Sequence, residues 1–222
     1  MEQHTLYTMP IITTKREDIL RKPEIDAMLE KADERLRCII AFAWLFGKRI
    51  NEILQLKRDD VWLEGEYFYA RFTVSKKRAR HDRAIPRPYL KRIRVEHPYV
   101  QHILSWIGGI KAGYIFASYG QPRKYKVRTK YKNKDGQEVI GEYEYETKGG
   151  YLSRTRVYQQ VKAINPNAWL HLFRESLATY MAEHGASEEE LMHWFDWDDV
   201  RTAHEYVKHG TKLTEKWSDR TW

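Results

Sequence analysis

His171 and Arg174 stand three residues apart in the segment His171-Leu172-Phe173-Arg174. At helical spacing that puts an imidazole and a guanidinium about 60° apart around one axis, so both can address one ligand. Phe173, Leu177, Tyr180 and Met181 form the apolar stripe of the same helix. Arg174 falls at the edge of that stripe, where a planar fork can grip a partly desolvated anion such as a phosphate. A lone His-x-x-Arg pair is common as a surface pair or a cap, so its meaning depends on its surroundings. Nine histidines raise the question of metal chemistry, and His204-Glu205 could open a zincin helix. The second histidine of such a helix falls four residues after the first; here that position is Lys208, with His209 one step beyond. Phosphate-loop and dinucleotide glycine fingerprints are absent too.

The charge distribution points to a polyanionic partner. The 222 residues carry 39 Lys+Arg against 31 Asp+Glu, and the excess is local. Residues 71 to 94 hold ten Lys/Arg and one acid, Asp82, and include Arg78, Arg80 and Arg83. Residues 123 to 134 hold seven Lys/Arg and no acid, with Lys124, Lys126, Arg128, Lys130 and Lys132 interleaved with Tyr125 and Tyr131. Basic segments carrying tyrosines suit phosphate contact with stacking or groove insertion, and double-stranded DNA is the expected ligand. A membrane is not: the longest apolar run, Cys38 to Phe46, is less than half the roughly 20 residues that a spanning helix needs. The N-terminus lacks the basic start and apolar stretch of a signal peptide, and Cys38 is the sole cysteine. A reducing, cytoplasmic or nucleoid-associated location is expected.

These residues need elements to position them, and 42% apolar residues suffice for a packed core. Residues 1 to 15 have no period and read as an arm. A helix is expected from Pro23, a second through Leu36, Ile39, Ile40, Ala43 and Phe46, an interruption at Gly47, and a short helix through Ile50, Ile53 and Leu54. Tyr67 to Val74 reads as a strand returning at Arg83-Ala84-Ile85-Pro86, which makes a basic hairpin. A helix through Tyr99 to Ile107 and a short strand at Tyr114-Ile115-Phe116 follow. A second, protruding hairpin turns at Asp135-Gly136. From Arg154 the chain is helical: to about Ala163, from His171 to His184 closed by Gly185, from a capping box at Ser187-Glu188-Glu189-Glu190, and a last helix capped by Asp198 and running through Tyr206. The class is α+β, mainly helical, with a small antiparallel sheet and a second basic hairpin.

On this frame Gly47-Lys48-Arg49-Ile50-Asn51-Glu52-Ile53-Leu54-Gln55-Leu56 resembles the first arginine box of the tyrosine recombinases, the phage-integrase family. His171-Leu172-Phe173-Arg174 resembles the second, continued by Ala178-Thr179 and Gly185. Phe195-Asp196-Trp197 falls where the family has a Gly-His or Gly-Trp pair, and Tyr206, in His204-Glu205-Tyr206-Val207, falls at its nucleophile. The order is collinear from about residue 15 to 210. The catalytic lysine of the family lies in the hairpin after Val74, here Lys76 or Lys77. Three positions depart from the family pattern: Lys48 stands where an apolar residue is usual, Glu175 where histidine is common, and Asp196 where glycine is usual. The helical DNA-binding domain that usually precedes the catalytic one has too few residues before Pro23, so residues 16 to 210 are expected to be a catalytic domain alone. The hairpin at 123 to 146 would then supply some of the DNA grip.

The resemblance implies strand cleavage and rejoining through a 3′-phosphotyrosine, to integrate or excise a mobile element, with no metal and no cofactor. Arg49 and Arg174 would hold the non-bridging oxygens, where attack concentrates negative charge. His171 and the Trp197 indole would add hydrogen bonds, Tyr206 would attack, and Lys76 or Lys77 would protonate the leaving 5′ oxygen. Glu52, one turn after Arg49, would orient an arginine. Recombination implies several protomers, a tetramer on DNA, with residues 211 to 222, which include Trp217 and Trp222, docking on a neighbour. The alternative is a catalytically weak or inactive integrase-like factor that binds DNA as an accessory protein.

Overall fold

Local signals start and stop most of the helices. A computed structural model of the chain describes residues 19–74, 87–118, 124–132, 136–146 and 150–208. Helix α1 (Lys22–Lys31) carries Pro23 in its first turn, where the missing N–H costs nothing. Helix α2 (Glu34–Phe46) is capped by Asp33, whose carboxylate accepts the Leu36 N–H at 2.7 Å. Every residue from Cys38 to Phe46 is buried, so α2 runs through the core rather than along its surface. It ends where Gly47 turns left-handed at φ 59°. Three residues after Gly47, α3 (Ile50–Leu54) begins.

Strands β1 (Val61–Glu64), β2 (Tyr67–Val74) and β3 (Arg87–Arg94) form an antiparallel sheet in the order β1-β2-β3. Phe68 and Phe72 on β2 face α2, with ring centroids 5.3 to 6.4 Å from those of Phe42 and Phe46. A returning strand is described at Arg87–Arg94; the expected segment, 83 to 86, falls within residues 75 to 86, which lie outside the described ones. Strand β1 is an addition to the expected elements; at four residues it is too short to declare a period. Helix α4 (Pro98–Ile107) then packs on α2.

The short strand expected at 114 to 116 is displaced. Tyr114 makes a single bridge to Lys57, and the strand is β4 (Ala117–Ser118). The second hairpin forms its own two-stranded sheet from β5 (Lys124–Lys132) and β6 (Glu138–Glu146), and β7 (Gly150–Tyr151) pairs back onto β4. Four helices complete the described residues: α5 (Arg154–Ile164), α6 (Leu172–Glu183), α7 (Glu188–Phe195) and α8 (Val200–Lys208). The result is the expected mainly helical α+β domain. Among the described residues no helix is long and apolar enough to cross a membrane.

Two apolar clusters result. The larger runs from Leu20 to Phe173 and is built on α2. The smaller joins Leu177, Ala178, Ala182, Leu191, Phe195 and Ala203. Helix α6 belongs to both: Leu172 and Phe173 enter the first cluster, Leu177 and Ala178 the second. Arg174 lies between them in sequence, so the seam between the clusters passes through its position.

Candidate active site

Arg174 is almost fully buried, at 3% exposure. It is held by main-chain oxygens rather than by a carboxylate. Its Nη1 donates to the Gly47 carbonyl at 2.6 Å and its Nη2 to the Phe195 carbonyl. Burial, and then the charge of Arg49, push the guanidinium down to about 10, so it remains a cation at neutral pH. Both acceptors are neutral, and Glu52 and Asp196 favour the cation from farther off.

Arg49 caps α3, and Glu52 closes the cap. One Glu52 oxygen accepts the Arg49 backbone N–H at 3.0 Å, and the other accepts Nη1 of the guanidinium at 3.1 Å. Glu52 is buried while the Arg49 side chain is 40% exposed, so the carboxylate anchors an arginine that still reaches solvent. His171 sits one residue before α6, its carbonyl accepting the N–H groups of Arg174 and Glu175. Desolvation, followed by Arg174, Arg49 and Arg154, holds its imidazole down to about 4. It is therefore neutral at physiological pH, although 54% of the side chain is exposed. Its Nε2 lies 3.8 Å from Glu175.

Tyr206, on α8, joins these groups through a ring stack. Its ring lies over Trp197 at 5.2 Å and 15°, and Trp197 over Phe195 at 4.8 Å and 21°. The Arg174 guanidinium carbon is 5.1 Å from the Phe195 ring centre and 5.7 Å from that of Trp197. The phenol is pushed up to about 12, first by burial and then by Glu175, with Arg174 pulling the other way. Arg49, His171, Arg174, Trp197 and Tyr206 therefore gather in one place from four separate segments. Lys76 and Lys77 lie outside the described residues, as do Arg78, Arg80 and Arg83.

The sequence reading missed a charged cluster behind this site. Lys48 and Asp196 make an ion pair with side chains 0% and 4% exposed. Lys91, on β3, lies 3.6 Å from the other Asp196 oxygen and donates to the His193 carbonyl at 2.6 Å. Burial holds the Lys48 ammonium down to about 8, against the pull of Asp196. Asp196 itself is left-handed, at φ 54°, a conformation that aspartate tolerates better than most residues and that glycine adopts freely. The available signal was the opposite charge of two departures from the family pattern. Lys91 gave none, since its sequence neighbours make it one more surface cation.

Lys124, Lys126, Arg128, Lys130 and Lys132 all lie on β5, so the hairpin forms where expected. The register sets Lys124 opposite Glu146, Lys126 opposite Glu144, Arg128 opposite Glu142 and Lys132 opposite Glu138. The second basic run thus faces an acidic strand. A count stopping at residue 134 cannot register this.

The chain matches the phage integrase family over residues 18–212 and belongs to it. No curated protein matches it. Among solved structures it is similar to the XerH site-specific recombinase bound to a palindromic difH substrate in a post-cleavage complex, at a TM-score of 0.62 and 18% identity over 90% of this chain and 52% of that one. It is also similar to the XerA recombinase (TM-score 0.59, 14% identity, 92% of this chain and 64% of that one). A third is the Tn1549 transposon integrase in complex with circular intermediate DNA (0.56, 12%, 94% and 66%). The chain thus spans about half to two thirds of the length of these proteins. At these identities the likeness is one of fold.

Proposed function

We propose that this chain is a site-specific tyrosine recombinase that cuts and rejoins one strand of duplex DNA at a time, with Tyr206 as nucleophile. The observation that carries the reading is the stacking of Tyr206 on Trp197 beside the buried Arg174, which two main-chain carbonyls hold. In the proposed step the Tyr206 Oη attacks the scissile phosphorus, the P–O5′ bond breaks, and a 3′-phosphotyrosine forms. The phenolic proton leaves to solvent or a neighbouring base, and Lys76 or Lys77 gives a proton to the departing 5′ oxygen. Arg49 and Arg174 stabilise the charge that builds on the non-bridging oxygens, with His171 and the Trp197 indole N–H as further donors. Glu52 keeps Arg49 in place. Reversal of the same step by a 5′ hydroxyl reseals the strand without an external energy source.

Residues 16–210 serve as the catalytic domain, residues 1–15 as an arm, and residues 211–222 as a tail that docks on a neighbouring protomer. Double-stranded DNA is the partner, a tetramer the working assembly, and integration or excision of a mobile element the outcome. Arg78, Arg80 and Arg83 would meet the phosphates, and the β5 cations would add a smaller share because β5 pairs with the acidic β6. The test is incubation with a nicked or phosphorothiolate suicide duplex, followed by a search for an adduct that survives SDS. An adduct that maps to Tyr206 and disappears in Tyr206→Phe is expected. Salt-sensitive DNA binding with no adduct from the wild-type chain would instead make it an accessory DNA-binding protein.

A further inference from the structure

Arg174 hangs between two turns that are far apart in sequence. One is the turn after α2, whose Gly47 carbonyl accepts Nη1; the other is the turn after α7, whose Phe195 carbonyl accepts Nη2. The next residue along each turn is Lys48 in the first and Asp196 in the second, and these two form the buried ion pair. The turns also touch through Gly47: a Cβ there would fall 2.3 Å from the Phe195 ring. Both turns pass through the left-handed region, at Gly47 and at Asp196. The carbonyl directions that aim Arg174 therefore depend on how the two turns are docked.

We propose that Lys48 and Asp196 are positioning residues whose buried ion pair docks these turns and so fixes the two carbonyls that aim Arg174. The charges stand where the family usually has an apolar residue and a glycine, and they do so together. Lys48 alone would be a buried cation without a partner and Asp196 alone would keep only Lys91, 3.6 Å away, so loss of either one is destabilising. Exchange of both for uncharged residues leaves Lys91 its acceptor in the His193 carbonyl, and uncharged replacements of a buried pair are often tolerated.

The catalytic arm of the test rests on the recombinase reading; a spectroscopic arm does not. In the first, Lys48→Leu, Asp196→Gly and the double variant are compared in single-turnover adduct formation and in DNA affinity. Each single variant is expected to slow adduct formation by about tenfold or more while changing affinity by less than about threefold, and the double variant to recover to within about threefold of wild type. In the second, the Arg174 guanidinium N–H signals of 15N-arginine-labelled protein are assigned by their loss in Arg174→Lys. They are expected to shift or broaden in each single variant and to return in the double. Unchanged Arg174 signals in the single variants, or a double variant no better than the worse single one, would overturn the proposal. If a single variant does not fold, recovery of the folded Arg174 signal in the double variant supports the coupling, and equal failure of the double overturns it. Absence of any adduct from wild-type protein would refute the recombinase reading and leave the spectroscopic arm to decide on the clamp.

Discussion

A phenol attacks phosphorus well only once its proton is lost, and Tyr206 is placed where that loss is hard. Burial and the Glu175 carboxylate hold the phenol up near 12, and Arg174 only partly offsets them. Glu175 also faces His171, at 3.8 Å, so one carboxylate opposes the phenolate and screens the anion site. Glu175→Gln is therefore expected to lower the Tyr206 pKa, raise the phenolate fraction at pH 7 to 9, and speed single-turnover adduct formation by about three- to tenfold, since one pKa unit is worth a factor of ten in that fraction. A pH series on both forms checks this, and an unchanged or slower rate in the variant would mean that Glu175 helps to move the proton. At this scale the sequence displayed the proposed reacting groups: Arg49, His171, Arg174, Trp197 and Tyr206 stand in motifs of short-range spacing and a fixed order. It did not display what holds them. The acceptors of Arg174 are main-chain carbonyls 127 and 21 residues away, and a backbone oxygen has no residue type to read.

Elements follow the same division. Helices were readable because caps and stops are local: Gly47 at the end of α2, Ser187 before α7. Strand partners were readable where a tight turn joins them, as in β5 and β6, but the facing charges of that register and the pairing of β4 with β7 were not, because they are long-range choices that composition does not encode. The hairpin of β5 and β6 illustrates the cost. Five basic positions on β5 stand against Glu138, Glu142, Glu144 and Glu146 on β6, four of them directly opposite one another. Residues 124 to 146 hold six Lys/Arg and five Asp/Glu, so this hairpin carries far less net charge toward DNA than β5 alone. Replacing residues 124–146 by a short Gly-Ser link is expected to flatten the slope of log affinity against log salt by about one unit, because each phosphate neutralised contributes about 0.9. Binding isotherms at four or five salt concentrations measure the slope. A drop of four or more would mean that the β5 cations reach phosphates and the glutamates do not restrain them.

At the scale of the whole molecule the two apolar clusters are unequal, and Tyr206, the proposed nucleophile, rides on the smaller. Among the described residues thirty-six buried side chains make up the cluster around α2, and six make up the one that holds α7 and α8. Stability is not shared evenly by such units: opening costs least where few apolar contacts are lost. Helix α8 contributes one fully buried side chain, Ala203, and its remaining hold is partial, through Tyr206 on Trp197 and His204 on Glu188. Tyr206 can therefore leave the arginine site with α8 while the core around α2 stays folded. Hydrogen exchange followed by mass spectrometry should show peptides of α8 exchanging at least about a hundredfold faster than those of α2, a gap of roughly 2.7 kcal/mol in opening free energy. A suicide duplex that traps Tyr206 on DNA should slow the α8 exchange and leave α2 unchanged, because the covalent bond ties the helix to the site without adding contacts to the core. Equal protection of α2 and α8 in the free protein would mean that the clusters open as one unit, and that the nucleophile is as fixed as the arginines it serves.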